Sequence, residues 1–134
     1  MPLLEIEIVG PPPAAEDPDI GRRRCRELAD QAGALLGAGA QQTWVRLRWL
    51  PEAQYAESGG APPGPSPVFV TLLLRTWPEE RVRSQQAAEL SALIGAILAR
   101  PPERVHVLYA PPGAGRVAFG GQLLPGEAHD LAPN

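Results

Sequence analysis

An internal repeat limits the folds open to this chain. The apolar stripe Ile20, Leu28, Ala32, Leu35 and Leu36 returns 62 positions later as Val82, Leu90, Ile94, Ile97 and Leu98. Both stripes keep helical spacing. Val45 returns 60 positions on as Val105, and the apolar runs ahead of the two helices are offset by about 65. Each copy reads strand–helix–strand. In the first, Leu4, Ile6 and Ile8 alternate with Glu5 and Glu7, the period of a strand with one buried face. Asp19 is placed to cap a helix over Ile20–Leu36, with Arg22–Arg24 and Glu27 turned outward and Gly37 and Gly39 ending it. Thr43–Leu50 alternates again, with Val45, Leu47 and Trp49 on one side and Arg46 and Arg48 on the other.

In the second copy, Val68–Leu74 is a nearly continuous apolar run, as in a central strand. Thr76 and Glu79, with Pro78 between them, fit a capping box. The helix they start stops before Pro101–Pro102, and Arg104–Tyr109 forms a short strand with His106 and Leu108 opposite Val105, Val107 and Tyr109. The expected fold is α/β: two tandem β-α-β units in one four-stranded sheet, with right-handed crossovers putting both helices on one face. The other face is left bare and partly apolar, which implies oligomerisation.

Composition narrows the function classes. A chain of 134 residues is one domain by length, and 44% hydrophobic residues can build a core. The 17 prolines and 14 glycines cluster between the periodic segments, as at Ser58–Pro67 and Pro111–Gly115. A net charge of −3 gives no broad attraction to nucleic acid or to acidic membranes. The single Cys25 excludes an intrachain disulfide and a cysteine-rich zinc site, and His106 and His129 have no metal-ligand spacing. No apolar run reaches the roughly 18 residues of a membrane span, and the start lacks the pattern of a signal peptide. The expectation is a soluble, cytoplasmic protein without cofactor or metal.

Pro2 directly after Met1, the doubled β-α-β pattern, and the segment Val105–Gly121 with its Phe119-Gly120-Gly121 end together resemble the tautomerase superfamily. The resemblance covers residues 2–125: repeat 1 over about 2–50, a connecting loop over 51–67, and repeat 2 over about 68–125, with 126–134 as a tail. The layout is similar to the family's long, fused-repeat members, the cis-3-chloroacrylic acid dehalogenases and malonate semialdehyde decarboxylases. It implies a homotrimer and a small anionic organic acid as substrate.

The resemblance implies roles for five residues. Pro2, freed by removal of Met1, would be a secondary amine. Burial and nearby arginines disfavour its charged form, so it could serve as general base. Arg75 would bind the substrate carboxylate through its planar fork. Arg46, from its own or a neighbouring chain, would polarise the substrate carbonyl, with Arg48 on the same strand face as its substitute. Phe119 would wall the pocket around the proline. Without the family, Pro2 reads as an ordinary second residue, Arg75 as a solvated surface arginine, Arg46 and Arg48 as sheet-surface arginines paired with Glu5 or Glu7, and Phe119 as core packing.

The departures shape the expected activity. Phe119 stands where the dehalogenase pattern has a water-activating glutamate, Leu108 where it has a tyrosine, and the first helix holds no histidine. Ala38–Leu50 has no acidic residue for a decarboxylase, and Trp77 replaces that pattern's second arginine. The expected function is a cofactor-independent tautomerase of small 2-hydroxy-2-enoate or arylpyruvate-like acids. A proline-dependent dehalogenase or hydratase of unsaturated acids, and a non-catalytic binding or assembly protein, are the alternatives. Cys25 reads as inert and the Arg22–Arg24 run as a solvated helix face.

Overall fold

The computed structural model describes residues 2–12 and 19–126. Met1, residues 13–18 and the tail with His129 lie outside that range. The chain runs β1 (Leu3–Val9), α1 (Ile20–Leu35), β2 (Trp44–Leu50), β3 (Val68–Leu73), α2 (Glu80–Leu98), β4 (Val105–Tyr109) and a two-residue hairpin pair, β5 (Ala118–Phe119) and β6 (Gln122–Leu123). Short 3₁₀ turns follow β2 at Glu52–Gln54 and precede β4 at Pro102–Arg104. The main sheet has the order β2-β1-β3-β4. β1 pairs parallel with β2, β3 parallel with β4, and the two units join through antiparallel β1 and β3. This is the doubled β-α-β architecture expected from the repeat.

The register explains the two faces. Leu4 pairs with Val45 and Leu72, Ile6 with Leu47 and Val70, and Ile8 with Trp49 and Val68. These side chains form one core with Leu28 and Ala32 of α1 and Leu90, Ile94 and Leu98 of α2, so both helices cover the same face. Each fully buried aliphatic side chain here contributes about 1.5–3 kcal/mol by leaving water. The odd positions point the other way. Glu5 and Glu7 stand beside Arg46 and Arg48, with ion-pair distances of 2.6 and 3.7 Å. Trp44, Phe69 and Leu108 share that face and are exposed.

Two stretches partly roof this second face. The 51–67 loop lays Tyr55 against Phe69 with ring centroids 5.8 Å apart. The C-terminal hairpin brings Phe119 edge-on to Trp44 at 4.8 Å and 89°.

The first helix starts at Ile20 as expected, but the helix caps differ from the sequence expectation. Asp19 makes no side-chain cap, because its own backbone is already helical (φ −91°, ψ −8°), and its carboxylate faces Arg22 at 3.8 Å instead. The Thr76/Glu79 capping box does not form either. α2 begins one turn later, with Glu79 itself at the N-cap, so Thr76 lies too far upstream to reach the first helical N–H groups. Val82 therefore sits in a projecting first turn, 43% exposed. Arg104 belongs to the 3₁₀ turn rather than to β4. No helix among the described residues is long and apolar enough to cross a membrane.

Candidate active site

The antiparallel register of β1 and β3 builds the site. Leu3 pairs with Leu73, so one step further along both strands Pro2 comes beside Leu74, and Arg75 follows. Pro2 is buried, and its carbonyl accepts a hydrogen bond from the Trp44 N–H at 3.0 Å, which ties it between β2 and β3. The turn before the hairpin fixes the other side. Gly113 N–H donates to the Leu74 carbonyl at 2.8 Å, and Ala114 N–H to the Arg75 carbonyl at 3.0 Å. The backbone at Arg75 is thus held while its side chain stays exposed.

A cleft of about 410 Å³ opens here, with Pro2, Gln42, Leu74, Arg75, Trp77 and Gln86 in its lining. That volume suits a small organic acid. The lining contains no carboxylate. The Arg75 guanidinium has neither an ion pair nor a hydrogen bond among the described residues, whereas Arg46 and Arg48 are each closed by a glutamate of β1. An unpaired guanidinium in a cleft without acids is a ready receptor for a carboxylate from outside.

The structure brings Pro2 and Arg75 together and leaves the other expected residues apart from them within one chain. Arg46 and Arg48 line a separate, smaller depression with Glu5 on the bare face. Phe119 packs on Trp44, one residue pair removed from Pro2, and the apolar part of the cleft wall comes from Leu36, Leu74, Trp77 and Pro78. Burial pushes the Cys25 thiol up despite the neighbouring arginines of its helix, which keeps it protonated and unreactive.

Sequence reasoning passed over Gln42 and Gln86. Gln86 did leave a signal: it stands between Val82 and Leu90 at four-residue intervals, a polar side chain on the apolar stripe of α2. Trp77 anchors the rim. Its Nε1 donates to the Ala110 carbonyl at 2.9 Å, and the Arg83 guanidinium stacks 4.8 Å above its ring.

Among solved structures, the F6 fused 4-OT wild type asymmetric trimer is similar at 22% identity and a TM-score of 0.71, over 98% of this chain and 99% of that one. Native fused 4-OT is similar at 21% identity and a TM-score of 0.70, over 96% and 98%. N1, a member of the cis-3-chloroacrylic acid dehalogenase family, is similar at 19% identity and a TM-score of 0.67, over 96% of this chain and 87% of that one. No family model and no curated protein matches the sequence. The chain has the fold of the tautomerase superfamily, in its fused two-unit form.

Proposed function

We propose that this protein is a cofactor-independent tautomerase that interconverts the enol and keto forms of small 2-hydroxy-2-enoate or arylpyruvate-like acids. The observation that carries the reading is one cleft holding both Pro2 and an arginine with no carboxylate of its own. Removal of Met1 would leave Pro2 a secondary amine, and burial favours its neutral, basic form. Arg75 anchors the substrate carboxylate. The neutral Pro2 nitrogen takes the proton from the 2-hydroxyl; the O–H electrons become the C=O π bond, and the displaced C=C pair takes the proton back from the prolinium at carbon. Nothing else is consumed. A lining without a carboxylate to activate water weighs against hydration or dehalogenation of an unsaturated acid.

The bare face with Trp44, Phe69 and Leu108 suits assembly, and we read the protein as a homotrimer. The fused 4-OT neighbour that is a trimer supports this. In such an assembly Arg46 or Arg48 would reach another copy's cleft only after leaving Glu5 or Glu7.

The test is ultraviolet-monitored ketonisation of a 2-hydroxy-2,4-dienoate and of an arylpyruvate enol. Pro2→Ala should lower kcat/KM by about 10²–10⁴-fold, the range of general-base catalysis. Arg75→Ala should act mainly through KM, by about 10–150-fold, as loss of a charge-assisted hydrogen-bonding anchor. Wild-type protein with no activity on either substrate, or variants that match wild type, would contradict the reading.

A further inference from the structure

The two glutamines in the cleft are not equivalent to free amides. Tyr109 and Gln86 Oε1 lie 2.5 Å apart, with the phenol O–H donating. That separation falls within the range of an O–H···O bond and below that of N–H···O, which fixes the amide: oxygen toward Tyr109, nitrogen away from it. Burial pushes the Tyr109 phenol up, so it stays protonated, and a donor, across the physiological range. Gln42 is arranged likewise, its Oε1 accepting from the Gly39 N–H at 3.3 Å. In both residues the acceptor is consumed inside the protein, and the Nε2 donors have no partner among the described residues. The indole N–H of Trp77 is spent on Ala110. The cleft thus offers a guanidinium and amide donors on a lining without a carboxylate.

Resting on the tautomerase reading above, we infer that the Gln86 Nε2 is the hydrogen-bond donor to the substrate's C2 oxygen, with Tyr109 as the residue that positions it. Negative charge develops on that oxygen as Pro2 withdraws its proton, and a preoriented neutral donor stabilises it without having to reorganise. Arg75 takes the carboxylate and Gln86 the adjacent oxygen. The preferred ligands are therefore 2-oxo and 2-hydroxy-2-enoic acids, against acids of the same size that lack the 2-oxygen. Gln86 is half-buried on α2, a rigid element, so little side-chain freedom is lost on binding, whereas Gln42 is exposed.

The test combines kinetics with calorimetric binding of a 2-oxo acid and the matching acid without the 2-oxygen, using Gln86→Leu and Tyr109→Phe. The expected result is that wild type prefers the 2-oxo acid. Gln86→Leu should erase this preference and lower kcat/KM by about 10²-fold, through a higher KM as well as a lower kcat, the size of one lost oxyanion donor. Tyr109→Phe should give a smaller loss of kcat/KM, because the amide can then turn its oxygen inward. Unchanged thermal unfolding of Tyr109→Phe would separate this effect from misfolding. Equal binding of the two acids by wild type, or Gln86→Leu with wild-type kcat/KM and preference, overturns this inference alone. Wild type that binds neither acid overturns it together with the tautomerase reading.

Discussion

Thr43 holds a buried hydroxyl that finds no partner among the described residues. It sits just ahead of β2 and against α1: a Cβ built on Gly33 would stand 2.8 Å from Thr43 Oγ1. Desolvating a hydroxyl without a new hydrogen bond costs about 1–3 kcal/mol, and an apolar group of the same shape avoids that cost. Thr43→Val should therefore be neutral or stabilising, by up to about 1 kcal/mol in a urea titration, whereas a marked loss of stability would show that the hydroxyl is satisfied. At this scale Pro2 and Arg75 were named through the family resemblance, and the fold brings both into the lining of one cleft. Gln86 could not be picked out of the sequence, since a helical stripe does not say which of its members passes the edge of the sheet and reaches a cleft. Alternation left open whether Arg46 and Arg48 pair with Glu5 and Glu7 or turn toward a substrate. That depends on the β1–β2 register.

The helices show how elements constrain one another. Gly95 on α2 faces the chain that leaves the helix, and an added Cβ would lie 2.5 Å from the Arg100 carbonyl oxygen. Ala99 turns the chain there through a left-handed conformation at φ +58°, and Arg100 N–H then bonds back to the Gly95 carbonyl at 2.8 Å. Because the obstacle is backbone, Gly95→Ala forces α2 away from the turn. It should cost about 1–3 kcal/mol of stability despite alanine's better helix propensity, and a lowered thermal midpoint measures it. A stabilised variant would contradict this packing. Strands were legible to within a residue or so, β1, β2 and β4 from their two-residue period and β3 from its continuous apolar run. Helix caps were not, because capping depends on the backbone at the cap: Asp19 holds the N-cap of α1 in a helical conformation without a side-chain bond, and Thr76 lies upstream of the N-cap of α2.

Across the whole molecule the two units are alike but their ends have diverged. The β1–β3 register that sets Pro2 and Arg75 at one end of the paired strands sets Pro67 and Gly10 at the other. There the Arg100 guanidinium bonds the Ser66 carbonyl at 2.6 Å and the Val9 carbonyl at 3.3 Å. One end is filled by the chain's own arginine; the other presents an arginine to solvent.

The loop joining the units is clamped by Glu57, which accepts from Tyr55 at 2.6 Å and from Arg104 at 3.1 Å. The Tyr55 hydroxyl, then Arg104, hold the Glu57 carboxyl below the usual carboxylate range. A depressed folded pKa means that the clamp's contribution is complete above the unfolded pKa and is lost as pH falls through the lower folded value. Proteolysis of the 51–67 loop should therefore quicken on acidification, and Glu57→Gln should make it fast already at neutral pH. A loop equally resistant in both proteins would contradict the clamp.

The central claim is that Pro2 is a base, and a base requires a free nitrogen. The intact mass of the purified, untagged protein tests this most directly. A mass short by one methionine residue is the result expected, since Pro2 is then a secondary amine in the cleft with Arg75. A mass that retains Met1 would make the Pro2 nitrogen an amide without basicity, and would contradict proline-dependent tautomerisation.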